Sequence, residues 1–171
     1  AYKTTAGADG RWQIVLPKQK AGGPYEIKVN DIVIKDVLIG DVWLCSGQSN
    51  IDVTIERVYP QYTKDIDNYS NNDIRLFRVE TDTDTHGPKT DVKPTRWVTA
   101  NKQNAWLFSA VGYFLGREMY EKTGVPQGII VNSLGGTPIQ AWLSADTIKQ
   151  HYPLDYRRTQ FYQDDNMVRT I

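Results

Sequence analysis

Ser49 is the residue of this sequence best suited to covalent chemistry. It closes the small polar turn Ser46-Gly47-Gln48-Ser49, which follows the apolar run Asp41-Val42-Trp43-Leu44-Cys45. A serine in a tight turn after a buried strand can project its hydroxyl into a crevice. A helix starting nearby would aim backbone N–H groups at the same spot. Hydroxyl attack beside N–H donors is what acyl transfer requires. The nucleophile elbow of α/β-hydrolases carries Gly two positions after its serine; here that position is Ile51. A serine in a turn is also, more commonly, only a turn former, so spacing alone leaves both readings open.

Other reactive side chains have weaker contexts. His86 lies in the polar stretch Thr85-His86-Gly87-Pro88 and His151 at the end of an expected helix, where a cation suits the dipole. Either is an alternative general base, with a solvated surface as the plain reading. Cys45 is alone and reads as a small apolar core residue. Asp82, Asp84 and Asp91 share an acidic loop that reads as solvated rather than cation-binding. No Cys/His group has metal-ligand spacing, so no metal is expected. Arg157 and Arg158 have the chemistry to pair with a sugar carboxylate, but surface placement is the commoner fate of such arginines.

These residues need elements to hold them. Trp12, Ile14 and Leu16 alternate with Arg11, Gln13 and Val15, and Tyr25, Ile27 and Val29 with Glu26, Lys28 and Asn30; the turn-rich segment 20–24 lies between the two runs. That pattern predicts a hairpin, with Ile32 to Leu38 as a third strand. Residues 1–39 are therefore expected to be a β-strand segment, the end of a β-sandwich-like domain. From Gly40 the pattern becomes layered. Apolar runs at 41–45, 74–79 and 127–131 read as buried parallel strands. Residues 52–72 are mixed and partly helical, and 80–95 form an exposed loop.

The spacing of Phe108, Val111, Leu115 and Met119 predicts a helix over 106–123, ended by Gly124 and Pro126. Gly112 and Gly116, one turn apart, would let it pack closely on a sheet. Ser144 is a candidate N-cap for a helix to about Gln150. Strand, crossover and strand imply an α/β domain over 40–171 with a mainly parallel sheet. Ligands bind such sheets beyond the carboxyl ends of the strands. The loops 46–50 and 132–137 both fall there and would meet at one crevice.

Composition narrows the function further. Lys plus Arg balance Asp plus Glu at 20 each, so no basic excess exists to neutralise phosphates and nucleic acid is not an expected partner. No apolar run nears the roughly 20 residues that span a bilayer, so no membrane partner is expected. Trp (5) and Tyr (10) are plentiful; their rings can stack on sugars but more often fill cores. The chain does not start with Met, which suggests processing or excerpting, with a secretory leader lost earlier.

Several long blocks carry a resemblance. Gly40-Asp41-Val42-Trp43-Leu44-Cys45-Ser46-Gly47-Gln48-Ser49-Asn50 is similar to the first block of the sialate O-acetylesterase family, of the SGNH-type (GDSL-like) hydrolases. Asp73-Ile74-Arg75-Leu76-Phe77 also fits. So do Phe108 to Glu118, and Gly128-Ile129-Ile130-Val131-Asn132-Ser133-Leu134-Gly135-Gly136-Thr137-Pro138-Ile139-Gln140-Ala141-Trp142. Asp9-Gly10-Arg11-Trp12 and Gly22-Gly23-Pro24-Tyr25 resemble strands that precede the esterase block. Order and spacing agree across most of the chain.

The resemblance implies a three-layer α/β/α, flavodoxin-like sheet, incomplete at its C-terminus. It implies a carbohydrate O-acetylesterase working through an acetyl-Ser49 intermediate without cofactor, on acetylated sialic acid or a related sugar. By position, Ser49 is the nucleophile, and its own N–H with that of Gly135 or Gly136 binds the oxyanion. Glycine suits that place because backbone can approach a substrate where no Cβ intervenes. Gln48, Asn50 and Thr137 become candidate substrate contacts, although for Thr137 and Trp142 shaping the loop is the favoured reading and sugar contact the minority one. A secreted or periplasmic setting follows from the same resemblance.

Two departures matter. Ile51 stands where the family usually has Met, which is a packing change. The family's Gln-Gly-Glu-type and Asp-x-x-His segments have no match before Ile171. The base and its Asp are thus expected beyond Ile171, and little turnover is expected of this chain alone. An incomplete sheet would leave an open edge, inviting self-association or pairing with that later segment. The alternatives are an acetylxylan-type esterase and a non-catalytic carbohydrate-binding or degenerate member of the fold.

Overall fold

The computed structural model describes residues 2–82, 87 and 89–162. Two strands come first, β1 (Gly22–Val29) and β2 (Ile32–Ile39), paired antiparallel about Asn30-Asp31. This corrects the expected hairpin. Residues 11–20 form no strand, and Trp12, Val15 and Leu16 are 52%, 81% and 50% exposed. Alternation gives a strand only when a neighbour accepts its backbone groups. Asp9 to Arg11 instead close a local turn, in which Gly10 N–H donates to Gly7 O and Arg11 N–H to Asp9 Oδ1. Segment 20–24 is no connecting turn, because Gly22 already begins β1.

The main sheet has four strands: β3 (Asp41–Gly47), β4 (Ser70–Arg78), β5 (Val98–Asn101) and β6 (Gln127–Ser133). Their order is β3-β6-β4-β5. β6 pairs parallel with both β3 and β4, and β5 closes the far edge antiparallel to β4. The expected parallel strands are all present. β5 was not expected; four residues carry too little periodicity to be read.

Helices fill the connections between these strands. They are α1 (Ser49–Asp52), α2 (Ile55–Asp67), α3 (Lys102–Ala105) and α4 (Ala110–Thr123). Beyond β6 follow a 3-10 turn (Ile139–Trp142), α5 (Ala145–His151) and α6 (Pro153–Tyr162). Ser144 caps α5 as expected, accepting from Thr147 N–H. α4 begins at Ala110 rather than 106, because the buried Ser109 hydroxyl caps it by accepting from Gly112 N–H. Gly124, at φ 64°, ends it in the left-handed conformation that glycine tolerates best.

The face α4 turns to the sheet matches the expected stripe only in part. Val111 is 47% exposed, while Gly112, Tyr113 and Gly116 are buried. A Cβ on Gly112 would meet Ile129 and Val131 at 3.1 and 3.2 Å; one on Gly116 would meet Ile129 at 2.9 Å. The two glycines bring the helix against β6, as their spacing suggested. Of the stripe, Phe108 is buried in the core and Leu115 packs against it, whereas Val111 turns outward.

The core between α2, α4 and the sheet contains Ile55, Ile66, Ile74, Leu76, Tyr113, Ile129 and Val131, with Cys45 at its margin. Each full burial of such an aliphatic chain contributes roughly 1.5–3 kcal/mol, so this face dominates stability. On the opposite face Trp97 packs on Phe77 (ring centroids 5.0 Å apart) and near Gly128. At the β3 edge Val42 and Leu44 remain 64% and 68% exposed. A paired contact, Arg75 to both carboxylate oxygens of Asp36 at 2.7 Å, links β2 to β4. Among the described residues no helix is long and apolar enough to cross a membrane.

Candidate active site

β3 and β6 run parallel with Gly47 opposite Ser133, so their carboxyl-end loops emerge side by side. Leu134 N–H donates to Gly47 O at 3.2 Å, tying the second loop to the first. Gly47 has φ 149°, and the chain turns there into α1, whose first residue is Ser49. Gln48 O accepts from Ile51 and Asp52 N–H at 3.1 and 3.0 Å, closing that turn. Ser49 is exposed, and its hydroxyl bonds to no described residue. The amides at the start of a helix lack intrahelical acceptors, so an alcohol and unpaired N–H donors share one spot.

The other end of α1 is anchored to α4. Ala110 N–H donates to Val53 O at 2.8 Å, and Ile55 N–H to Phe108 O at 3.0 Å. Thr54 and Ser109 form an isolated antiparallel bridge. The buried start of α4 thus backs the turn that carries Ser49.

The second loop comes close to the first. A Cβ built on Gly135 would lie 3.8 Å from Ser49 Oγ and 3.4 Å from Asp52 Oδ2. Gly135 N–H donates to Asp52 Oδ2 at 3.2 Å. Gly136 adopts φ 79°, and its N–H has no acceptor among the described residues. Thr137 shapes the loop: its hydroxyl donates to Leu134 O at 2.8 Å and accepts from Trp142 Nε1 at 2.9 Å. Gln48 and Asn50 are exposed beside Ser49. A cleft of about 320 Å³ adjoins this loop, lined by Ser133, Leu134, Thr137 and Trp142 and faced by Asp82 and Lys93.

Asp52 is the residue that sequence reasoning missed. Its Oδ1 accepts from Ser133 Oγ at 2.9 Å and from Arg78 Nη2 at 2.7 Å, and its Oδ2 from Gly135 N–H. Arg78 also donates to Leu107 O at 3.2 Å. Partial burial pushes this carboxyl up. The bonds from Ser133, Arg78 and Gly135, with the Arg78 charge, outweigh that and hold it below the usual aspartate value. One acid in the mixed segment 52–72 gives no local signal; its partners lie 26, 81 and 83 positions away.

The remaining candidates lie elsewhere or have other work. His151 ends α5 and is exposed, with no hydrogen bond to the Ser49 turn. His86 and Asp84 lie outside the described residues. Asp82 pairs with Lys93 at 3.1 Å, and Asp91 Oδ1 accepts from Val92 N–H. Among the described residues no acid, His or Cys group could hold a metal ion. Arg158, 80% exposed, reaches Asp155 at 3.5 Å; Arg157 is exposed. Cys45 is buried, and that burial raises its thiol pKa.

A serine at the end of one parallel strand, beside a glycine loop from its neighbour in an α/β layered fold, fits a hydrolase of the SGNH type. The comparisons with known proteins agree. Over 153 residues the chain is 33% identical to the sialate O-acetylesterase of Homo sapiens, covering 81% of this chain and 29% of that protein. It is 31% identical over 157 residues to the enzyme of that name from Rattus norvegicus, covering 84% and 29%. The crystal structure of a carbohydrate acetylesterase from Xanthomonas citri superposes with a TM-score of 0.72 at 34% identity, over 84% of this chain and 34% of that one. No protein-family model matches. The chain is a part-length relative of the sialate O-acetylesterases, spanning about 29% of the length of the curated relatives it matches.

Proposed function

We propose that this chain carries the nucleophile-bearing part of a serine esterase that removes O-acetyl groups from a carbohydrate. The observation that carries the reading is the exposed, uncommitted Ser49 hydroxyl at the start of α1, with the Gly135 backbone beside it. In the proposed reaction Ser49 Oγ bonds to the acetyl carbonyl carbon, and its proton passes to a general base. The oxyanion is held by N–H groups of Ser49 and the 135–136 loop. Collapse breaks the ester bond and releases the sugar hydroxyl, which takes up the proton. Water then cleaves acetyl-Ser49 to acetate.

Among the described residues no His, Asp or Glu hydrogen-bonds to Ser49 Oγ. The family resemblance supports a base in an Asp-x-x-His segment that this sequence lacks, and the 171-residue chain alone is expected to turn over little acetyl ester. The names of the relatives support an acetylated sugar as substrate, and the family resemblance supports a secreted or periplasmic setting.

The test is fluorophosphonate labelling of the full-length protein. Labelling at Ser49 together with release of acetate from an O-acetylated sugar, both lost in Ser49→Ala, is the expected result. An unlabelled Ser49 with retained sugar binding would leave a binding module. Turnover by the isolated chain that Ser49→Ala abolishes would refute the assignment of the base.

A further inference from the structure

Three loops and strands that are distant in sequence meet at one carboxylate. Asp52 lies on α1, three residues after Ser49. Ser133 ends β6, Gly135 follows it, and Arg78 ends β4. All three donate to Asp52, at 2.9, 3.2 and 2.7 Å. Few side chains could replace it. A carboxylate accepts on both oxygens and offers no proton, which matches three converging donors. An amide in its place would turn an N–H toward a donor. The Asp52 side chain is 29% exposed, so the bonds are partly shielded from water.

We propose that Asp52 is a positioning residue: its carboxylate sets where the 135–136 amides stand relative to Ser49. This rests on the esterase reading and deepens it. Gly135 N–H is held by the carboxylate, while Gly136 N–H has no acceptor among the described residues. Gly136, with Ser49's own amide, is then the donor left to an oxyanion, and Gly135 serves by anchoring the loop. Arg78 neutralises the charge that would otherwise stand beside a developing oxyanion. Asp52 itself touches no reacting atom.

The experiment uses the full-length protein with Asp52→Asn and, as a variant that keeps the carboxylate, Ser133→Ala. Two readouts are taken. One is kcat and KM for 4-nitrophenyl acetate; the other is amide hydrogen exchange across residues 133–137. Misplacing a reactive group by about 1 Å costs on the order of 100-fold. Asp52→Asn is therefore expected to lower kcat at least 10-fold with KM within about twofold, and Ser133→Ala to lower it by less. Exchange in 133–137 should quicken in both, while segment 41–47 keeps its protection. Unchanged exchange in 133–137, or a kcat within twofold of wild type in Asp52→Asn, would overturn the proposal. If the wild type neither hydrolyses the ester nor labels at Ser49, the esterase reading fails. Quickened exchange in the variants would then still establish the clamp.

Discussion

Gly40 offers the sharpest test of how the site-bearing strand is seated. A Cβ there would lie 1.9 Å from the Pro126 carbonyl oxygen and 2.7 Å from its carbon. Relaxed carbon–oxygen contacts lie near 3.3 Å, so backbone must move by more than an ångström. No side chain can yield instead, because the obstacle is main chain. The same Pro126 oxygen accepts from Asp41 N–H at 3.0 Å, the bond that opens the β3–β6 ladder. Gly40→Ala therefore adds overpacking of about 1–3 kcal/mol to the loss of a hydrogen bond worth about 1 kcal/mol.

The sum, roughly 2–4 kcal/mol, corresponds to a fall in Tm of about 5–15 °C for a chain of this size. Gly124→Ala is the comparator. It meets no neighbour within 4 Å and carries only the strain of φ 64°, about 1 kcal/mol. Thermal unfolding followed by circular dichroism reads both variants. A Gly40→Ala Tm within 2 °C of wild type, or above that of Gly124→Ala, would refute the packing argument at the start of β3.

Other consequences are simpler to measure. Ser109→Ala removes the buried cap of α4 and should cost about 1–2 kcal/mol, seen as a shifted urea midpoint with unchanged slope. The Cys45 thiol, buried and with its pKa raised, should react slowly with a disulfide reagent in the native chain and quickly in urea. The Asp52 carboxyl lies below its usual 3.8, because bonds from Ser133, Arg78 and Gly135 outweigh burial. Its contribution is thus complete above that pH and is lost as pH falls through the lower folded value. Exchange protection of 133–137 should hold down to pH 4 and weaken below, whereas Asp52→Asn should show no such step.

Much of this arrangement was legible in the residues, for reasons that also explain the failures. Val42 to Cys45 and Ile129 to Val131 announce their strands because apolar runs ending in small polar turns have few other uses. Gly112 and Gly116 announce close packing because one helical turn separates them. The same helix misled only at Val111: Phe108 and Leu115 of the stripe meet the core, but Val111 is 47% exposed, because the closest approach to β6 is made by the two glycines. Trp12 to Leu16 alternate like a strand yet pair with nothing, since a ladder depends on a neighbour that local sequence cannot name. Asp52 was invisible for that reason too. The loops carrying Ser49 and the glycines were expected to meet at one crevice because both follow carboxyl ends of parallel strands, and the Gly135 backbone does lie beside the Ser49 hydroxyl.

Because Gly47 sits across from Ser133, the gap between alcohol and glycine loop is inherited from adjacent rungs of a parallel ladder, about 4.8 Å apart. It does not depend on the length of chain between them. The distance between the two loops is set by that pairing, while Asp82 and Lys93 only face the adjoining cleft. A slip of one residue between β3 and β6 would carry Gly135 away from Ser49 while every side chain stayed intact. Changes that shift the register of β3 against β6 should therefore be punished even where no side chain of the site is touched.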